Sequence, residues 1–179
     1  RLLAQAGAKI AMLDINLPAA ESFAREIAAD GFTVRAYAVN VLSPDSLREA
    51  HAKILEDLGP CDILINGAGG NNPKGNTEDE YFDPAAAETV KTFFDLDPDG
   101  FRFVSELNFT GTLLPTQEFA RDMIGREHCS IINVSSMNAI HPLTKLPAYS
   151  AAKAAVSNFT EWLAVYFAKS GIRVNAIAP

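Results

Sequence analysis

A chain of 179 residues, 48% hydrophobic and 21% charged, suits one domain with a sizeable core and has the composition of an ordinary globular protein. Its net charge of −7 argues against a nucleic-acid or anionic-membrane partner, and no apolar run is long enough to cross a membrane. Cys61 and Cys129 lack metal-ligand or redox spacing, His51, His128 and His141 are scattered, and no leader pattern is present. The expectation is a cytoplasmic protein with reduced thiols and no metal.

Residues 1–7 read as the last turns of a helix closing on Gly7. Residues 9–15 are strand-like, and Asn16 can cap a helix running to about Ala29. Residues 33–39 form the next strand. Ser43 followed by Pro44 is an N-cap and first-turn pair for a helix to about Leu58. Residues 62–66 predict a short buried strand, followed by a polar loop from Gly67 to about Asp97. A long helix is expected from about Pro98 to Ile124, with Pro115 as its bend. Strand 130–134, helix 149–169 and strand 173–177 complete the pattern. An opening in mid-helix and a stop at a strand tip predict one partial domain over residues 1–179, the middle of a longer protein.

Apolar strands alternating with amphipathic helices imply an α/β fold with a doubly wound parallel sheet of the Rossmann type. Ligands in such folds sit at the C-terminal strand edge. Asp14, Asn40, Asn66 and Ser136 all fall at or just past such ends. Asp14 could accept hydrogen bonds from ribose hydroxyls or cap the next helix. Asn16 is the better-placed cap, which leaves Asp14 to a ribose. No Arg or Lys follows Asp14 until Arg25, which favours NAD over NADP. Asn66-Gly67-Ala68-Gly69 lets backbone approach a flat ring, although an ordinary Asn-Gly turn explains the same residues.

Tyr149 and Lys153 stand four residues apart, on one face of a helix, thirteen and more residues after Ser136. An ammonium beside a phenol stabilises the phenolate, so the pair can move a proton to or from an oxygen that Ser136 could also bind. Asn108 lies inside the long helix, where asparagine is a poor helix former. Either it marks a distortion whose freed carbonyl holds a water, or it makes a cross-helix or solvent hydrogen bond.

These residues resemble the short-chain dehydrogenase/reductase family in order and spacing over nearly the whole chain. The carriers are Gly7-Ala8-Lys9 leading to Asp14, Asn66-Gly67-Ala68-Gly69, Asn108, Asn133-Val134-Ser135-Ser136, the Tyr149/Lys153 pair, and Arg173-Val174-Asn175-Ala176 running to Pro179. The resemblance implies Tyr149 as acid/base, Lys153 as its activator and nicotinamide-ribose ligand, Ser136 as the substrate-oxygen donor and Asn108 as holder of a relay water. Ser136 is preferred to Ser135 on its distance to the tyrosine. NAD would contact Asp14, Asn40, Val41, Asn66, Gly67, Ala68, Gly69, Tyr149, Lys153 and Pro179. Asn40 replaces the aspartate usual beside adenine. The family's first strand with its glycine-rich phosphate turn, and its C-terminal substrate segment, are not in these residues. The resemblance also implies a homo-oligomer for the full-length protein.

The long loop, with Gly69-Gly70-Asn71-Asn72-Pro73-Lys74 and the run from Leu107 to Gln117, is similar to the D-mannonate oxidoreductase (fructuronate reductase) branch. The implied reaction is hydride transfer between NAD(H) and a sugar acid, D-mannonate/D-fructuronate. Lys74 and Lys145 are the candidate carboxylate ligands, with Asn72 and Asn138 as hydroxyl partners beside Ser136. The alternatives are a dehydrogenase of the same family acting on another sugar, polyol or hydroxy acid, and a catalytically incompetent piece of such an enzyme.

Overall fold

A computed structural model describes all 179 residues, which form two compact units, Arg1–Cys61 and Asp62–Pro179. In the first unit α1 (Leu2–Gln5), β1 (Ile10–Asp14), α2 (Leu17–Ala28), β2 (Val34–Ala38) and α3 (Pro44–Asp57) follow in order. Strands β1 and β2 pair in parallel from Ile10↔Val34 to Asp14↔Ala38. Both expected caps form: Asn16 accepts from the Ala19 N–H at 3.2 Å, and Ser43 from the Ser46 N–H at 3.3 Å. The apolar stripe of α2 packs Ala24 and Ile27 onto Ala4 and Val34, with Ile10, Met12, Phe32 and Ala36 around them.

The second unit holds β3 (Ile63–Asn66), α4 (Pro98–Ser105), a π-helical turn (Glu106–Thr110), α5 (Gly111–Phe119), β4 (Ser130–Val134), α6 (Pro147–Tyr166) and β5 (Arg173–Ile177). Its sheet is parallel, in the order β3-β4-β5. Two expectations change. Strand β3 is not fully buried, because it lies at the edge of this sheet, and Ile63 and Ile65 are 50% and 45% exposed. The long helix is not continuous: the π turn at Glu106–Thr110, at the distortion offered for Asn108, divides it into α4 and α5, and Pro115 sits inside α5.

The cause of the π turn is a stripe of side chains that bond back one turn. The Asn108 Nδ2 donates to the Val104 carbonyl at 2.8 Å, the Thr112 hydroxyl to the Asn108 carbonyl at 2.8 Å, and the Thr116 hydroxyl to the Thr112 carbonyl at 2.7 Å. Each side chain competes with the backbone ladder for a carbonyl, which loosens the helix locally. Helix α6 begins at Pro147, two residues earlier than expected, because a proline at the first turn forfeits no hydrogen bond. It ends at Tyr166.

In the first unit the Tyr37 hydroxyl donates to Asp57 at 2.9 Å, and burial together with this bond pushes the phenol up to about 12. A folded-state value above the unfolded value of about 10 confers stability below that pH and loses it as pH rises towards 12. Between pH 8 and pH 11 the protein should therefore lose on the order of 1 kcal/mol more unfolding free energy than Tyr37→Phe, measured by denaturant titration. Parallel pH dependence in both proteins would contradict the assignment.

Candidate active site

Strand β4 delivers two serines, and their surroundings separate their roles. Ser135 is 1% exposed and its hydroxyl bonds the Lys153 carbonyl at 3.1 Å and the Ser157 hydroxyl at 2.6 Å. That side chain ties β4 to α6. Ser136 accepts the Asn138 N–H at 3.3 Å through Oγ, which leaves its own proton to be donated elsewhere. The chain end lies against the same turn, since the Met137 N–H donates to the Pro179 carbonyl at 3.0 Å.

Helix α6 carries Tyr149 and Lys153 one turn apart, as their spacing demands. Lys153 is 4% exposed, and its ammonium donates to the Val134 carbonyl at 2.7 Å. The ammonium also lies 5.6 Å from the centroid of the Tyr149 ring, within cation–π range. Burial disfavours its charge and pulls its pKa below the usual lysine range. Tyr149 is half-buried against the cluster of Val104, Ala148 and Ala152.

Asn108 is fully buried and grips both backbone polar groups of one residue, Gly70. Its Nδ2 donates to the Gly70 carbonyl at 2.7 Å, and the Gly70 N–H donates back to Oδ1 at 3.3 Å. Both alternatives for this residue are thus realised in part: a distortion is present, and so is a cross-element hydrogen bond. Its own carbonyl is engaged by Thr112. The clamp brings Gly69 so close that an added Cβ would lie 2.6 Å from the Asn108 Oδ1 and 3.4 Å from the Lys153 Nζ.

Asn66 is buried, and its carboxamide donates to Thr116 at 2.8 Å and to Asn133 at 2.9 Å. Asn133 in turn donates to Thr160 at 2.8 Å. The side chain therefore knits β3 to α5 and β4, and only the glycines beyond it, with Ala68, are exposed towards a ligand. Sequence reasoning missed Asn133, Thr112, Thr116 and Thr160. The signal for the threonines was present in the four-residue spacing of positions 108, 112 and 116.

In the first unit Asp14 is exposed and one carboxylate oxygen accepts the Asn16 N–H at 2.8 Å. The Asn40 Oδ1 accepts the Leu42 N–H at 3.0 Å, and Val41 is half-buried. Of the candidate substrate ligands, Asn72 accepts the Lys74 N–H at 2.9 Å, and the Lys74 ammonium lies 3.4 Å from Asp97. Lys145 is exposed in a left-handed conformation at φ 69°, which a residue with a Cβ rarely adopts. The Asn138 Oδ1 is buried with no hydrogen-bond partner.

A family profile for short chain dehydrogenase matches residues 1–179. The chain belongs to the short-chain dehydrogenase family. Similar family members include an uncharacterized oxidoreductase of Haemophilus influenzae, 58% identical over 177 residues, covering 99% of this chain and 62% of that protein. The uncharacterized oxidoreductase UxuB of Bacillus subtilis is 46% identical over 179 residues, covering 100% of this chain and 64% of that protein. The chain thus spans a little under two thirds of these relatives. Among solved structures, an NAD-bound Haemophilus protein provisionally named D-mannonate oxidoreductase superposes with a TM-score of 0.97 at 58% identity, over 99% of this chain and 63% of that one. A gluconate 5-dehydrogenase of Burkholderia cenocepacia with NADP and tartrate gives 0.79 at 29%, over 99% and 63%. The incomplete Rossmann-type α/β fold expected from the strand pattern agrees with this membership.

The Asn108 clamp makes a paired test. Gly69→Ala should cost about 1–3 kcal/mol of stability through overpacking. Gly67→Ala should be within about 0.5 kcal/mol of wild type, because its added Cβ meets nothing within 4 Å. Thermal or denaturant unfolding decides, and equal costs at both glycines would contradict the close approach.

Proposed function

We propose that the full-length protein is an NAD-dependent oxidoreductase acting on a sugar acid, interconverting D-mannonate and D-fructuronate. The observation that carries the chemistry is the Lys153 ammonium, bonded to the Val134 carbonyl at the end of β4 and 5.6 Å from the centroid of the Tyr149 ring, with Ser136 two residues beyond Val134 in the chain. The sugar acid rests on the likeness to the provisionally named, NAD-bound Haemophilus structure.

The residues fit NAD. Asp14 is exposed and keeps a carboxylate oxygen for ribose hydroxyls, and it would repel a 2′-phosphate. Arg25, the first cation after it, already faces Glu21 at 3.8 Å. Asn40 and Val41 would lie beside adenine, and the exposed backbone of Gly67, Ala68 and Gly69 leaves room for a flat ring or ribose. Lys153 and Tyr149 would hold the nicotinamide ribose, with Pro179 at the ring. Bound NAD supplies the hydride acceptor, and NADH the donor in reverse.

In the oxidation direction the substrate hydroxyl gives its proton to the Tyr149 phenolate oxygen as hydride leaves the same carbon. In reduction the phenol returns the proton to the new alkoxide oxygen. The Lys153 ammonium favours the phenolate form. Ser136 donates its free proton to the reacting oxygen, and the Asn138 N–H bonded to its Oγ strengthens that donor. Asn108 keeps the Gly69-Gly70 backbone in register with Lys153 and would hold a relay water through the remaining lone pair of its carbonyl.

Lys145, strained and exposed, is the better carboxylate ligand, since Lys74 already faces Asp97. Asn72 and Asn138 supply polar groups for the hydroxyls. The pairing of Lys74 with Asp97 also favours a second reading, a neutral sugar or polyol as substrate. We further infer a homo-oligomer: Trp162, Val165 and Tyr166 lie exposed on α6, with the Trp162 and Tyr166 rings stacked at 4.9 Å. The net charge of −7 favours a cytoplasmic enzyme without a nucleic-acid or membrane partner.

One assay tests the reading: full-length protein, NAD and D-mannonate, followed by NADH absorbance. Tyr149→Phe should lower kcat by about 10²–10⁴; survival within about tenfold would contradict acid/base catalysis by the phenol. In the same assay Lys145→Met should raise KM for mannonate by about 10–100-fold, the worth of a charge-assisted hydrogen bond, with little change for a neutral polyol. Equal effects on both substrates would sink the carboxylate role.

A further inference from the structure

Residues 76–97 leave the site and return to it, and Lys91 stands at the return. Its ammonium donates to the carbonyls of Pro73 and Lys74 at 3.0 and 2.7 Å. Its backbone is locked by Glu78, whose carboxylate accepts the Lys91 N–H at 3.1 Å and whose N–H donates to the Lys91 carbonyl at 2.8 Å. The Asp97 N–H donates to the Lys74 carbonyl at 3.2 Å. The Lys91 ammonium, held by Glu78, and the Asp97 N–H thus converge on the single turn that presents Asn72 and Lys74.

The far side of that turn has no slack. A Cβ added to Gly75 would lie 3.2 Å from the Cβ of Ala148, the residue before Tyr149. One added to Gly100 would lie 2.5 Å from the Lys74 Cβ and 2.8 Å from its carbonyl carbon. Just past the turn, the Thr77 N–H donates to the Lys145 carbonyl at 3.2 Å, which ties the strained lysine to the same loop. A lysine on a solvated loop face trails into water. This one donates to two consecutive carbonyls that already accept the Asn76 and Asp97 N–H groups, filling their second lone pairs.

We propose that Lys91 is a positioning residue: it clamps the Pro73–Gly75 turn against the starts of α4 and α6, and through Asn72 and Lys74 fixes the wall on which the substrate's polar groups are read. The proposal rests on the dehydrogenase reading above but not on the choice between a sugar acid and a polyol. Its test uses the full-length protein with NAD and whichever of these substrates the wild type oxidises.

Lys91→Met should raise KM for that substrate about tenfold, with kcat and KM for NAD within about twofold. Amide exchange should quicken at residues 74–77 and not across the sheet, and Lys91→Arg, which keeps a donor to both carbonyls, should restore KM to within about threefold. Faster exchange with an unchanged substrate KM would overturn the proposal, as would a joint loss in kcat and in NAD binding. A wild type that reduces NAD with no sugar acid or polyol would defeat the dehydrogenase reading, and Lys91's role with it, before any variant is made.

Discussion

A lysine left only 4% exposed is the constraint around which the second unit is arranged. Charge at such depth is costly unless it is met by oriented acceptors. The Val134 carbonyl meets Lys153 at 2.7 Å and the Tyr149 ring lies beneath it. Placing that carbonyl requires the end of β4 to be held against α6, and Ser135 does so through the Lys153 carbonyl and Ser157. The adjacent Ser136 instead accepts the Asn138 N–H through its hydroxyl oxygen. Packing thus engages the Ser135 hydroxyl and leaves the Ser136 proton to be donated elsewhere.

The opposite wall is built from amides and hydroxyls. Asn108, Thr112 and Thr116 each bond a carbonyl one turn back, and the π turn that results aims the Asn108 carboxamide at Gly70. Asn66, Asn133 and Thr160 extend the same network across β3 and β4 to α6. A buried network with these partners in place is rigid, because any member removed strands its neighbours. The glycine at position 69 follows from it, since Asn108 and Lys153 occupy the space a side chain would need.

How much of this was legible in the sequence depended on the range of the interaction. The caps at Asn16 and Ser43 were readable because a helix start needs an acceptor within three residues. The Tyr149/Lys153 face was readable because a four-residue spacing has one geometric meaning on a helix. Ser136 was preferred to Ser135 only because its distance to the tyrosine matches the family's usual spacing, and the grip of Ser135 on α6 was not visible. The distortion at the π turn was readable as one of two alternatives at Asn108, a poor helix former in mid-helix, but the back-bonding stripe acts through burial that no single window reveals. Asn66 was read as a turn residue near a ligand, yet its partners stand 50 and 67 residues away. The Lys74–Asp97 pair and the Lys91 clamp close a loop whose composition carries no periodicity.

The central claim is that Lys153 stays charged and buried for chemistry and not for stability. A buried charge is costly, so its removal need not destabilise the fold, whereas losing the group proposed to favour the phenolate should remove activity. The direct measurement is Lys153→Met in the full-length protein, with thermal midpoint and NAD-dependent turnover read side by side. The account predicts an unchanged or higher midpoint with turnover lowered at least about 100-fold. A lower midpoint with turnover retained would contradict it.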